Sequence, residues 1–184
     1  MNDKTSIVAL LGLRCSGKTS VGRRLAEKLG LPFIDLDLEL ARDFALIRKL
    51  DAKLTAGEIL SEHGEHQFRD AEQNTLARVL ASAQSCVIAT GGGIVERAVN
   101  RERLRGAATC VWLRVPIAEL ERRMRGDRGT RPALLGDDPV GEIAALAARR
   151  EPLYLEVSDH SIECGTLGTA EIARRIESLL LEGR

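Results

Sequence analysis

The sequence predicts an open, parallel α/β sheet with helices on both faces, folded as one domain. Three observations carry that expectation. Short apolar runs alternate with amphipathic, helix-period segments along the whole chain, the rhythm of repeated strand–helix–strand units. Three of the runs, IVALL, CVIA and TCVWLRV, are almost continuously apolar, as strands are when both their faces are covered. The first run leads straight into a glycine-containing turn that opens an amphipathic segment, a strand–loop–helix unit.

In chain order, strands are expected over 6–11, 32–36, 86–89, 109–115 and 160–164. Helices are expected over 18–29, 38–50, 65–83, 97–105, 117–125, 139–157 and 169–181. In the first helix Val21, Leu25, Ala26 and Leu29 form one stripe, and Gly30 supplies the stop. Ile172, Ile176, Leu179 and Leu180 make the corresponding stripe of the last. Two stretches break the rhythm. Residues 37–85 hold two or three helices and no strand, as an inserted substrate-binding subdomain would. Residues 126–138, GDRGTRPALLGDD, are rich in Gly, Pro and charge and read as a mobile lid.

The 184 residues correspond to one compact unit at about 150 residues per domain. Lysine plus arginine and aspartate plus glutamate both number 27, so the chain is neutral. It lacks the broad basic field that nonspecific nucleic-acid or acidic-membrane binding needs, and neither partner is expected. The longest apolar stretch, IVALLGL at 7–13, is too short to span a bilayer, and MNDKTS shows no secretory pattern. A cytoplasmic protein is expected. Cys15, Cys86, Cys110 and Cys164 form no C-x-x-C pair, so neither a disulfide framework nor a zinc site is expected. His63, His66 and His160 lack metal-ligand spacing and read as surface residues.

GLRCSGKT at 12–19 fits the pattern G-x-x-x-x-G-K-[ST] in full. Glycines let successive backbone N–H groups curl around phosphate oxygens, and the following helix N-terminus adds partial positive charge. Gly12, Arg14, Cys15, Ser16, Gly17, Lys18, Thr19 and Ser20 are therefore the candidate nucleotide-binding residues. Lys18 can reach the β- and γ-phosphates, and the Thr19 hydroxyl can hold Mg²⁺. No apolar run ends in the Asp pattern of a Walker B strand.

Instead FIDLD ends the second strand with Asp35 and Asp37, two positions apart and aimed the same way where strand geometry holds. One carboxylate can hold Mg²⁺ through water while the other accepts a proton from an attacking hydroxyl. Alternatively both are solvated carboxylates at a strand end. VIATGGGIV at 87–95 runs a buried strand into Gly91, Gly92 and Gly93, where bare backbone allows close ligand approach or simply makes a tight turn. Arg69 lies in GEHQFRDAE, and Arg150 opens REPLY. The segment 119–131, which contains Arg123 and Arg131, carries five arginines against three acids. Arginine suits a carboxylate or phosphate because its fork gives two parallel bonds.

Together these motifs resemble the shikimate kinase family over nearly the whole chain. The resemblance rests on GLRCSGKTSVGRRLAEKLGLPFIDLD, GExxFRxxE at 64–72, ATGGGIV, TRP at 130–132 and RxPLY at 150–154, which stand in the family's order. It implies a P-loop NTPase three-layer α/β/α fold with a five-stranded parallel sheet in the order 2-3-1-4-5. It implies ATP and Mg²⁺ as cofactors, shikimate as the acidic substrate, phosphorylation of its 3-hydroxyl, and a monomer. By the resemblance, Asp37 bonds the substrate hydroxyls and acts as, or helps position, the general base. Arg69 and Arg150 clamp the carboxylate; Gly91, Gly92 and Gly93 line the substrate pocket. Asp35 reaches Mg²⁺ through water beside Thr19, Arg131 swings in with the lid, and Arg123 packs on adenine. Lys18, Asp37 and Arg131 are then the catalytic residues.

Three features depart from the family pattern. Cys15 stands where glycine is usual, segment 38–60 is several residues longer, and Ala133 follows the lid's Arg-Pro. Two other readings use the same motifs: a kinase for another small hydroxy acid, and a ligand-sensing domain that kept the kinase shape. The second fits poorly with a chain that starts almost at its first strand and keeps Lys18, Asp35, Asp37 and Arg131.

Overall fold

An apolar strand with period-two alternation must find cover on both faces. β1 (Ile7–Leu11) does so: Ile7, Ala9 and Leu11 join one core while Val8 and Leu10 join another. The computed structural model describes residues 7–49, 54–82, 84–126 and 140–182. β1 lies at the centre of a five-stranded sheet completed by β2 (Phe33–Asp35), β3 (Cys86–Ala89), β4 (Thr109–Arg114) and β5 (His160–Glu163). The order is β2-β3-β1-β4-β5 and all pairings are parallel, with Ile7 opposite Cys86 and Val8 opposite Thr109. This is the three-layer architecture that the sequence and its family resemblance predict.

Helices α1 (Lys18–Leu29) and α7 (Thr169–Glu182) cover one face through Val21, Leu25, Ile172 and Ile176. The other face is covered by α3 (Ala56–Ser82), α4 (Ala98–Ala107), α5 (Ile117–Gly126) and α6 (Glu142–Val157). Trp112 of β4 stacks on Tyr154 of α6, with ring centroids 5.4 Å apart. Gly30 ends α1 in the left-handed conformation and donates to the Ala26 and Glu27 carbonyls, as expected of a terminating glycine.

α2 (Leu36–Arg48) and α3 build a small third core from Leu40, Ala41, Phe44, Ile59 and Phe68. α2 starts earlier than the expected 38 because the Asp35 side chain caps it, accepting from the Asp37 N–H at 3.2 Å. The expectation that Asp35 and Asp37 share one strand face is thereby corrected: β2 ends at Asp35, and Asp37 stands in the first turn of α2. α3 begins nine residues before the expected 65 and breaks at Gly64 (φ 80°, ψ 163°), a backbone region open essentially to glycine alone. Its first half starts with a reciprocal cap. The Thr55 N–H donates to Glu58 Oε2 at 2.7 Å, and the Glu58 N–H donates to Thr55 Oγ1 at 3.2 Å.

Cys86, Cys110 and Cys164 are buried, Cys15 is half-buried, and all four are free thiols. His66 is exposed, but His63 and His160 are half-buried, and His63 tilts against Phe44 at 4.9 Å. The surface reading fails for these two, which sit partly inside the fold. Among the described residues no helix is long and apolar enough to cross a membrane.

Candidate active site

In an open parallel sheet the loops at the carboxyl ends of the strands converge on one crevice. Here the loop after β1, the β2–α2 junction and the glycines after β3 line one cavity of about 510 Å³. Arg14, Cys15, Gly17, Lys18, Thr19, Ser20, Asp35, Asp37, Arg69, Glu72, Gly91, Gly92, Gly93, Arg123 and Arg150 all contribute to its wall. Nearly every candidate residue of the sequence therefore meets in one place. Arg131 and most of the 126–138 segment lie outside the described residues.

The loop after β1 owes its shape to its backbone. Gly12 takes φ 141°, where a Cβ would come within 2.9 Å of the Leu113 carbonyl, and Gly17 takes φ 90°. Cys15 adopts the left-handed region at φ 60° despite its side chain, so the arch expected with glycine forms at some strain. Ser16 is buried, and its N–H donates to the Leu13 carbonyl at 3.2 Å. Lys18 folds back along the loop, donating to the Gly12 and Leu13 carbonyls at 2.9 and 2.8 Å. At its rim Arg14 pairs with Glu142 at 3.2 Å. Arg123 reaches the Cys15 carbonyl at 3.2 Å and the Gly165 carbonyl at 3.4 Å, tying this loop to the one after β5.

Thr19 Oγ1 donates to Asp35 Oδ2 at 3.0 Å. Two hard oxygen donors thus stand side by side at the mouth of the loop. Among the described residues no group of three or more His, Cys, Asp or Glu side chains could hold a metal unaided. The pair therefore suits Mg²⁺, which takes one or two protein oxygens and completes its shell with phosphate and water.

The three glycines have separate duties. A Cβ on Gly91 would meet Glu72 Oε1 at 2.8 Å and Asp37 Oδ1 at 3.0 Å. One on Gly92 would press on the Arg14 backbone nitrogen at 3.1 Å. One on Gly93 would sit 2.3 Å from the Arg69 guanidinium. The bare backbone is what lets α3, the phosphate loop and the glycine turn approach each other.

Opposite the phosphate loop the wall is charged and buried. Arg69 is 6% exposed and Arg150 is 1% exposed. Arg69 donates to Glu72 at 2.8 Å, one helical turn further along α3. Burial works against the Arg69 charge, but the carboxylates of Glu72, Glu96 and Glu65 raise its pKa. Burial pushes the Glu72 carboxyl above the ordinary range; Arg69 offsets only part of this, and nearby Asp37 adds to the rise. Arg69 Nε and Glu72 Oε1 are buried without a hydrogen bond. Orphaned polar atoms clustered in one cavity mark a site for a polar ligand.

Sequence reasoning missed Glu72 and Tyr154. Glu72 was signalled by its i+3 spacing from Arg69 within GExxFRxxE. Tyr154, the last residue of RxPLY, donates its hydroxyl to the Gly92 carbonyl at 2.5 Å. Nothing local in the sequence signals that contact.

A phosphate loop, a carboxylate pair and an arginine-lined pocket in one crevice define a small-molecule kinase of the P-loop class. The shikimate kinase family profile matches residues 14–180. A shikimate kinase from Symbiobacterium thermophilum is 43% identical over 152 residues, covering 82% of both chains. One from Rhodopseudomonas palustris is 42% identical over 149 residues, 81% of this chain and 68% of that one. The structure of a shikimate kinase from Acinetobacter baumannii in complex with shikimate superposes with a TM-score of 0.87 at 32% identity. That superposition covers 99% of this chain and 96% of the other. The chain belongs to the shikimate kinase family, enzymes that phosphorylate shikimate at the expense of ATP.

Proposed function

We propose that this chain transfers the γ-phosphoryl group of ATP to the 3-hydroxyl of shikimate, in aromatic amino-acid biosynthesis. The observation that carries the reading is the convergence of Lys18, Asp37, Arg69 and Arg150 on one cavity. The loop 12–19 cradles the phosphates with backbone N–H groups, and Lys18 leaves the Gly12 and Leu13 carbonyls to meet the β- and γ-oxygens. Asp37 faces the acceptor hydroxyl and takes its proton, or orients it for attack. Arg69 and Arg150 receive the substrate carboxylate, and Gly91, Gly92 and Gly93 let the ring approach the backbone. Arg123 packs against the base. Arg131 completes the charge around the transferring group from the 126–138 lid.

Thr19 and Asp35 would hold Mg²⁺, which when bound neutralises charge on the phosphates. Such a reaction needs little covalent help from the protein; positioning and charge neutralisation supply most of the rate. Residues 37–85 act as the substrate-binding insert of a single kinase domain. The same reading has the enzyme work as a cytoplasmic monomer without a nucleic-acid partner, which light scattering, cell fractionation and a nucleic-acid shift assay test in turn.

The experiment is a coupled ADP assay with ATP, Mg²⁺ and a panel of hydroxy acids, with ³¹P NMR of the product. Turnover on shikimate giving a 3-phosphate is expected. No turnover on shikimate, with turnover on another acid, contradicts the substrate; no turnover on any acid contradicts the kinase reading.

A further inference from the structure

Each of the two buried arginines in the cavity wall has a resident carboxylate. Arg69 has Glu72 at 2.8 Å. Arg150 has Glu96, whose Oε1 accepts from Arg150 Nε at 2.6 Å and lies 2.5 Å from Nη2. The same oxygen accepts from Arg149 Nη2 at 2.6 Å and lies 4.0 Å from Arg69 Nη2. One carboxylate oxygen thus gathers three guanidinium groups.

Its place in the fold matters. Glu96 ends the 3₁₀ turn Ile94–Glu96 that follows the glycines, whereas Arg149 and Arg150 lie on α6. Arg69, Glu72 and Arg150 line the cavity and Glu96 does not; it stands behind them. The Arg150 side chain is 1% exposed, the Glu96 side chain 19% and the Arg149 side chain 46%. Arg150 therefore depends on Glu96 for its counter-charge, because a guanidinium so deeply buried is costly without a partner.

We infer that Glu96 is a positioning residue that sets the affinity for the substrate's acid group. It fixes Arg150 in the cavity wall from behind and cancels part of the positive charge that the incoming carboxylate meets. The inference rests on the reading that Arg150 and Arg69 receive that carboxylate. Burial disfavours the charged form of Glu96, but Arg150, Arg149 and Arg69 hold its carboxyl below the ordinary range, so it is ionised at neutral pH.

Glu96→Gln keeps an acceptor oxygen for Arg149 and Arg150 while removing the charge. The free protein is then left with an under-compensated buried cation, which the substrate carboxylate compensates. Loss of stability without substrate and gain of affinity for it are therefore coupled. The test is thermal melting of the full chain with and without shikimate, together with steady-state kinetics. The Glu96→Gln variant is expected to melt lower when free and to gain more from shikimate than the parent does. Its KM for shikimate should fall by about threefold to tenfold, the scale of one charge removed a few ångströms behind the site, with the KM for ATP unchanged. The neutral amide of shikimate should show no such gain.

An unchanged or raised KM for shikimate, an undiminished melting temperature, or an equal gain for the amide would overturn the inference. Arg149→Gln, on a half-exposed side chain, supplies an independent arm should Glu96→Gln fail to fold. It concentrates the Glu96 charge on Arg150, so the KM for shikimate should rise; a fall or no change overturns the inference. Arg150→Ala separates the two levels. If it leaves the shikimate KM unchanged, the acid-pocket reading itself is wrong. If it raises that KM while Glu96→Gln has no effect, only the counter-ion inference fails.

Discussion

At the phosphate end of the cleft, Arg14, Cys15, Gly17, Lys18, Thr19 and Ser20 line the cavity from one short stretch of the chain. Their arrangement is set by local dihedral angles: Gly12 at φ 141°, Cys15 at φ 60° and Gly17 at φ 90°. At the opposite end Arg69 and Glu72 come from α3, Glu96 from a 3₁₀ turn and Arg150 from α6. There the groups are charged side chains that pair with one another and, at Glu96 and Arg69, with Arg149 and Glu65. The first end takes its shape mainly from its own backbone. The second exists only once three elements have packed, so its binding energy and its folding energy are the same interactions. Substitutions at the phosphate end should act mainly on phosphoryl transfer and change stability little, whereas those at the acid end should move stability and substrate affinity together.

The largest expected effect lies where the two ends meet. Asp37→Asn should lower kcat by about 10²–10⁴-fold, the usual range for loss of a general base, with ATP affinity unaltered. Near-normal turnover would remove Asp37 from the chemistry. Next, Gly93→Ala places a Cβ 2.3 Å from the Arg69 guanidinium, which Glu72 prevents from yielding freely. Displacing it should cost up to about 10²-fold in kcat/KM for shikimate and leave the KM for ATP intact. An equal rise in both Michaelis constants would erase the distinction between the ends.

Tyr154→Phe strips the donor from the Gly92 carbonyl, which links α6 to the glycine turn. Losing a hydrogen bond to a half-buried acceptor costs about 1 kcal/mol, readable as a lower urea midpoint at unchanged slope.

The pH dependence of stability sharpens the comparison at the acid end. Unfolded, Glu72 releases its proton near 4.5; folded, burial makes it hold the proton to higher pH. Between these values the folded state binds more protons, so stability from this group falls as pH rises. Glu96 has the opposite sign: its contribution is present above 4.5 and is lost as pH falls through its depressed value. The melting temperature of Glu72→Gln, relative to the parent, should therefore climb as pH rises above 4.5. A flat difference would show that Glu72 is ionised in the folded protein throughout.

The smallest effect belongs to the phosphate end. Cys15→Gly relieves a left-handed side-chain residue, worth about 1–2 kcal/mol, against about 0.5–1 kcal/mol of added chain entropy. A gain of about 0.5–1 kcal/mol in chemical denaturation is expected, and a loss would mean that the thiol contributes packing that outweighs the strain.

The same contrast explains what could be read in the sequence. The phosphate loop was legible because its chemistry demands glycines, lysine and threonine at adjacent positions, and β3 and α1 were bounded to the residue because apolar runs and Gly30 mark their limits. Asp37 falls on a helix instead of the strand face because a carboxylate at Asp35 has two uses, and capping competes with strand continuation. The first half of α3 was overlooked although Thr55 and Glu58 carry a capping signature. Glu96 and Tyr154 were invisible because their partners lie 54 and 62 residues away in the chain. Local pattern cannot report on charge balance assembled from distant elements.

The central claim is that one cleft holds a nucleotide's phosphates at one end and a hydroxy acid's carboxylate at the other. Calorimetric titration of Arg150→Ala with shikimate and, separately, with a non-hydrolysable ATP analogue and Mg²⁺ tests it most directly. The account predicts that shikimate affinity falls by about tenfold or more while nucleotide affinity is unchanged, the scale of losing one charged hydrogen-bonded partner. Equal weakening of both ligands, or undiminished shikimate binding, would contradict it.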